Sequence, residues 1–268
     1  VCGNNDWLKI ALVEEVGEVC RLICKNCKTI YFDRKAPIQP VYDIDYNLHF
    51  FRLGDIRKAG IMALKIAEIA DYYYEKPQIL EAGTGNGLTV FLLRTAGINA
   101  CGLDIDQRLC NYLWERFKIP VGAGTFEDLK EDLQYDMIYS SHVIEHCPDP
   151  LRFIQKAESL LKPGGLFFLD TPDTMFWQSE KKRWHHFETR NPYEHQILLG
   201  KKGIKILAEK TGLTLPYLSF KAPFMSLQAI FLKGQLNPPR KETYPPKNEY
   251  LNQLSNPQNR FGGGRSIR

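Results

Sequence analysis

Three groups of residues in this sequence have types and spacings that could do chemistry. The first is Ile79-Leu80-Glu81-Ala82-Gly83-Thr84-Gly85-Asn86-Gly87-Leu88. A short apolar run ends in an acid, and three glycines then alternate with other residues. Leu88-Thr89-Val90-Phe91-Leu92-Leu93-Arg94 reads as the start of a helix. Glycine permits positive φ and lets backbone come close to a ligand. A helix amino terminus adds amide donors and partial positive charge. The spacing is G-x-G-x-G, not the G-x-G-x-x-G of a dinucleotide loop, and no Gly-Lys-Ser/Thr follows, which speaks against a phosphate loop. Ala100-Cys101-Gly102-Leu103-Asp104 is a second apolar run ending in an acid, 23 positions after Glu81. A carboxylate there can accept hydrogen bonds from both hydroxyls of a ribose.

The second group is thiols. Of seven cysteines, Cys2, Cys20, Cys24 and Cys27 crowd the first 27 residues. Cys24-Lys25-Asn26-Cys27 puts two of them on a tight turn between hairpin arms, a spacing that suits tetrahedral zinc. Cys2 is a third ligand. A fourth would be a cysteine three positions before Cys2, or Cys20, although the three residues between Cys20 and Cys24 make a less usual knuckle. Four thiolates leave no open position, so the expected role is structural. Cys101, Cys110 and Cys147 read as small buried hydrophobes.

The third group is imidazoles. Five of the six histidines fall between 142 and 195. His142 and His146 follow the apolar run Tyr135-Asp136-Met137-Ile138-Tyr139-Ser140-Ser141. A metal reading of that pair lacks a third ligand nearby in sequence, which leaves a structural or cofactor-side role for Glu145-His146. Tyr193-Glu194-His195 precedes a helix expected at about 200–211. Histidine titrates near neutrality and Glu194 could orient or tune it. His195, Glu194, Tyr193 and His146 form the candidate catalytic set.

The frame that positions these residues follows from composition and periodicity. The chain has 268 residues, 44% apolar and 25% charged, which predicts a globular protein with one large domain and a small one. It has no run of 18 apolar residues, so no membrane partner is expected. No signal-peptide pattern opens the sequence, and a cytoplasmic location is expected. The net charge is +4, with seven basic and two acidic residues in 233–268, so the body is near neutral and carries no nucleic-acid footprint. Residues 52–74 predict an amphipathic helix with Ile56, Ala59, Ala63, Ile66 and Ala70 on its buried stripe. Strands are predicted near 78–83, 99–104, 119–123, 135–140, 165–170, 213–220 and 225–232, alternating with helices, which implies a parallel doubly wound sheet. The expected division is 1–35 zinc-ribbon-like, 36–75 linker and packing helix, 76–232 ligand-binding domain and 233–268 a basic Pro/Gly-rich tail.

Glu81-x-Gly83-x-Gly85-x-Gly87, Asp104, Tyr135-Asp136-Met137-Ile138 and Leu161-Lys162-Pro163-Gly164-Gly165 fall in order along the chain. Together they resemble the class I S-adenosylmethionine-dependent methyltransferases, over roughly residues 55 to 232, and the amino-terminal cysteines resemble the zinc ribbon some of these enzymes carry. The resemblance implies an α/β fold: a doubly wound, mostly parallel Rossmann-like sheet with an antiparallel last strand, beside a small zinc-ribbon-like β segment. It implies S-adenosylmethionine as cofactor and a structural zinc on Cys2, Cys24 and Cys27. It places Glu81, Ala82, Gly83, Thr84, Gly85 and Gly87 along the methionine and ribose, Asp104 on the ribose hydroxyls and Ile105 under the adenine. Thr125, Phe126 and Glu127 would contact the adenine edge, with Thr125 where the family often has an acid. Ser140, Ser141 and His142 would border the cofactor. The insertion from Met175 to Leu199 would cover the substrate. Tyr193-Glu194-His195 resembles an element of sugar C-methyltransferases, which also carry a zinc-binding head. The expected function is methyl transfer to a small-molecule acceptor, with a sugar or sugar nucleotide as the candidate. The alternatives are methylation of RNA or protein, and a non-catalytic zinc-ribbon adaptor.

Overall fold

The computed structural model describes residues 1–12, 19–34, 53–174, 195–221, 226–240 and 248–254. Helix α1 (Leu53–Tyr73) follows the apolar spacing. Ala63, Ile66 and Ala70 are buried, joined by Met62 and Ile69. Ile56, expected on the same stripe, is instead 43% exposed. Lys58, two residues on, already reaches Asp170 and Ser141, so among the described residues Ile56 lies past the layer that covers the rest of the stripe.

Strands and helices then alternate through β4 (Gln78–Ala82), α2 (Leu88–Thr95), β5 (Asn99–Asp104), α3 (Gln107–Phe117), β6 (Val121–Ala123), β7 (Tyr135–Ser141), α4 (Pro150–Leu160) and β8 (Leu161–Pro172). After β9 (Ile197–Leu198) come α5 (Lys201–Thr211), β10 (Thr214–Lys221), β11 (Ser226–Leu232) and α6 (Glu249–Leu254). Local signals set the boundaries. Asp106 caps α3 by accepting from the Arg108 amide at 2.9 Å. Asp149 caps α4 by accepting from Leu151 and Arg152, with Pro150 at the first helical position.

β4 pairs in parallel with β5 on one side and β7 on the other; β6 extends the first side and β8 the second. β11 runs antiparallel between β8 and β10, giving the order β10-β11-β8-β7-β4-β5-β6. This is the doubly wound, mostly parallel sheet with an antiparallel last strand that was expected. The chain moves outward in both directions from β4 and β7, so the crevice opens at the carboxyl ends of these strands, where the order reverses. Alternation along each strand splits the core into two layers. Tyr139 and Phe168 pack with α1, α2 and α3; Ile138 and Phe167 pack with α4 and α5.

The amino-terminal strands β1 (Trp7–Leu12), β2 (Val19–Cys24) and β3 (Ile30–Arg34) form an antiparallel meander. β1 was missed in the sequence, and so was the fourth strand of this sheet. That strand is β9, where Ile30 pairs with Leu198 and Tyr31 with Ile197. The stretch 233–268, expected to be a tail, is structured where it is described. Leu236, Tyr250, Leu251 and Leu254 are buried, and Arg240 bonds the carbonyls of Tyr72 and Tyr74. No helix among the described residues is long and apolar enough to cross a membrane.

Candidate active site

Glu81 is the penultimate residue of β4 and is 5% exposed. Burial pushes its pKa up to about 8, against hydrogen bonds from the Thr89 side chain and the Val90 amide. Its Oε2 has no hydrogen-bond partner among the described residues. The loop that follows passes through Gly83, Gly85 and Gly87, all at positive φ. At Gly83, φ is +74° and a Cβ would stand 2.1 Å from Val143 Cγ2, so only glycine fits. Ala82 is buried, and Thr84 Oγ1 donates to the Glu81 carbonyl at 3.1 Å.

Asp104 ends the neighbouring strand. Its Oδ2 accepts from the Gly85 amide at 2.9 Å and its Oδ1 from the Asp106 amide at 3.1 Å. Each oxygen keeps a further lone pair, enough for two hydroxyls. Ile105 beside it is 54% exposed, a large apolar side chain at the crevice mouth. After β6, Thr125 Oγ1 donates to Asp128 Oδ2 at 2.6 Å. Phe126 turns inward, its ring 4.7 Å from that of Phe153, so only its backbone faces outward. Glu127 beside it is half-buried.

Beyond β7, Ser140 is fully buried and its Oγ has no partner among the described residues. Ser141 Oγ lies 3.2 Å from Asp170 Oδ2 and 3.4 Å from Lys58 Nζ. Lys58 and Asp170 form an ion pair at 2.8 Å, which sequence reading missed because it joins α1 to β8. Burial would raise the Asp170 pKa, but the charge of Lys58 outweighs it and the carboxyl stays below its usual range. His142 follows with φ 55°, a left-handed conformation uncommon outside glycine.

The turn Ile144–His146 then meets His195, which stands two residues before β9. His146 and His195 rings meet edge to face with centroids 4.8 Å apart. Glu145, fully buried, offers a carboxylate between them; Thr171 Oγ1 donates to its Oε2 at 3.1 Å, and His142 Nδ1 lies 3.1 Å from its Oε1. Burial alone would raise the Glu145 pKa, but His142, His146 and His195 overcome it and hold the carboxyl near 2. Thr171 was not expected here, and Glu145 was expected only in a structural or cofactor-side role beside His146. Tyr193 and Glu194 lie outside the described residues.

In the head, Cys2 and Cys24 sulfurs are 3.4 Å apart, and with Cys27 all three lie within 4.8 Å of one another. An edge of about 3.8 Å is expected for a tetrahedron with zinc–sulfur bonds of about 2.3 Å. Burial opposes ionising Cys2, but the Asn4 amide and the neighbouring thiols bring its pKa down to about 7. The backbone of Cys20 pairs with Ala11 and Asp33, four positions down β2 from Cys24, about 13 Å along the strand at about 3.3 Å per residue.

The model of a methyltransferase domain family matches residues 55–217. A protein described as a probable S-adenosylmethionine-dependent methyltransferase from Mycolicibacterium smegmatis is 29% identical over 48% of this chain and 52% of its own length. A ubiquinone biosynthesis O-methyltransferase of Coxiella burnetii is 31% identical over 37% of this chain and 44% of its own length. The chain thus spans about half the length of these curated relatives. A chain from the complex between the Haloferax volcanii Trm112 methyltransferase activator and a methyltransferase shares the fold, with a TM-score of 0.56 at 15% identity over 74% of this chain and 100% of that one.

Proposed function

The chain belongs to this methyltransferase domain family, and we propose that it transfers a methyl group from S-adenosylmethionine to a small-molecule acceptor. One observation carries the reading. The acid–glycine loop and Asp104 open onto the same strand ends as the cluster of Glu145, His146 and His195. The residues fit the cofactor. The unpartnered Oε2 of buried Glu81 suits a cationic group, Asp104 retains acceptor capacity for two hydroxyls, and Gly83 leaves backbone where a side chain would clash. Bound there, S-adenosylmethionine supplies a methyl group on a positively charged sulfur, already activated for in-line displacement. Glu81, Ala82, Gly83, Thr84, Gly85, Gly87, Asp104, Ile105, Thr125, Phe126, Glu127, Ser140, Ser141 and His142 are the proposed cofactor contacts, Phe126 through its backbone.

The acceptor side falls to the imidazoles. His195 takes the acceptor's proton, with His146 beside it and Tyr193 and Glu194 orienting the ring. The ubiquinone biosynthesis relatives are named O-methyltransferases, which supports a hydroxyl acceptor. A sugar or sugar nucleotide is supported only by the resemblance of Tyr193-Glu194-His195. Cys2, Cys24 and Cys27 hold a structural zinc. Cys2, Cys24, Cys27, Cys101, Cys110 and Cys147 are in no disulfide, which supports a reducing, cytoplasmic setting. The proposed division is a zinc-ribbon-like head at 1–35, a linker and helix at 36–75, the methyltransferase domain at 76–232 and a basic carboxyl-terminal segment at 233–268.

Calorimetry with S-adenosylmethionine and S-adenosylhomocysteine tests the cofactor, and no binding at millimolar ligand would favour a non-catalytic adaptor. On an identified acceptor, His195→Gln is expected to lower turnover by about 10²–10⁴ and leave cofactor affinity unchanged. Equal turnover would assign His195 to packing.

A further inference from the structure

At the carboxyl end of the sheet, side chains far apart in sequence bring donor atoms to one point. Glu145 and His146 follow β7; His195 arrives from just before β9. A Glu145 carboxylate oxygen and one ring nitrogen from each histidine lie within 4.8 Å of one another. Glu145 and His195 are buried and His146 half-buried. Two imidazoles on one tetrahedral ion at about 2.1 Å each need nitrogens about 3.4 Å apart, a closure that side-chain rotation of about an ångström supplies.

The backbone holds this arrangement in place. The Gln196 amide donates to the Glu145 carbonyl at 2.7 Å, and Gln196 Nε2 donates to the His146 carbonyl at 2.8 Å. The residue after His195 is thus fastened to both other members. Thr171 orients the carboxylate through Oε2, as a supporting shell does around metal ligands. Oε1 has no aligned hydrogen bond among the described residues, although His142 lies close. An ion there would meet the Glu145 carboxylate at Oε1, the oxygen that Thr171 leaves open.

We infer that Glu145, His146 and His195 bind a divalent transition-metal ion at the acceptor end of the crevice. Two imidazoles and one carboxylate suit zinc, manganese, iron or cobalt, not magnesium or calcium, which take oxygen ligands. Three protein ligands leave an open position for an acceptor oxygen, and an ion there lowers the pKa of the hydroxyl that binds it. The inference rests on the acceptor entering this crevice, and it changes the part His195 plays. A ring nitrogen on the ion takes no proton. The hydroxyl proton then passes to solvent, and the oxygen bonds the methyl carbon as the carbon–sulfur bond breaks. The general-base role describes the chain without the ion.

The test counts metal on full-length protein dialysed against metal-free buffer, then adds Mn²⁺ and follows its free signal by electron paramagnetic resonance. One ion per chain beyond the thiol trio is expected, retained or taken up as Mn²⁺. Glu145→Gln and His195→Asn should each weaken it by about tenfold or more, with unchanged circular dichroism, while Asp104→Ala leaves it intact. Absence of the ion in the wild-type chain, or equal affinity in both variants, overturns the site. If Mn²⁺ binds but S-adenosylmethionine does not, the methyltransferase reading fails and the metal site stands.

Discussion

Two glutamates buried at the crevice are pushed in opposite directions. Glu145 stays ionised because imidazoles surround it, whereas Glu81 has amide and hydroxyl donors but no cation among the described residues, and burial raises its pKa to about 8. The unliganded chain therefore holds a proton on Glu81 between its ordinary value of 4.5 and about 8. A cationic ligand favours the ionised form and must displace that proton. Affinity for S-adenosylmethionine is expected to rise as pH climbs toward about 8 and then to level. S-adenosylhomocysteine, lacking the sulfonium, should rise less. Calorimetry in buffers of different ionisation enthalpy counts the released proton, and a flat profile would remove Glu81 from the sulfonium's surroundings. Asp104 makes a separate prediction. Asp104→Ala removes a charged acceptor, worth about 1.5–3 kcal/mol, so cofactor affinity should fall about tenfold or more. Unchanged affinity in a titration of this variant would refute its role.

Elements place these residues, and some of that placement was legible. Glu81 and Asp104 could be read because each ends an apolar run, and Gly83 because no other residue fits its conformation. Gly83→Ala should combine a left-handed strain of about 1–2 kcal/mol with overpacking of about 1–3 kcal/mol against Val143. Val143 sits in the loop that carries His142 and His146, so the clash pushes both sides of the crevice apart. Thermal denaturation should show a lower Tm and calorimetry a weaker cofactor; if neither changes, the loop gives way more easily than its contacts indicate. The convergence of Glu145, His146 and His195 was not legible. His195 lies 49 positions after His146, and proximity arises because Gln196 bonds the Glu145 and His146 carbonyls while β9 pairs with β3 of the head. A two-residue strand has no periodicity to read. Nor did α6 show itself, since six residues in a proline-rich stretch carry too few apolar positions to mark a packing face.

At the scale of the molecule, head and body are joined at the site itself. Ile30 and Leu198 form a small apolar cluster of their own, and the Phe32 amide donates to the Gln196 carbonyl at 3.2 Å. Lys202 Nζ donates to Asn26 Oδ1 at 2.6 Å, bridging α5 to the cysteine turn. That turn is closed by the Cys24 amide on the Thr29 carbonyl at 2.9 Å and by the Lys28 amide on the Cys24 carbonyl at 2.9 Å. Metal on the thiols would stiffen it further. The proposed zinc therefore bears on His195 through β3 and β9, while Glu81 and Asp104 stand on β4 and β5, which are hydrogen-bonded in the other sheet. Cys24→Ser is expected to release zinc by elemental analysis. It should speed amide exchange over Ile30–Phe32 and Gln196–Leu199 by about tenfold or more, a local loss of about 1.4 kcal/mol. Turnover on an acceptor should fall, and the affinity for S-adenosylmethionine should stay within about twofold, because β4 and β5 are hydrogen-bonded within the seven-stranded sheet and not to β9. If exchange at Gln196–Leu199 is unchanged while Ile30–Phe32 loosens, the head is an independent module and β9 is held by the body alone. If cofactor affinity falls together with turnover, the thiol site supports the whole fold and not the acceptor side in particular.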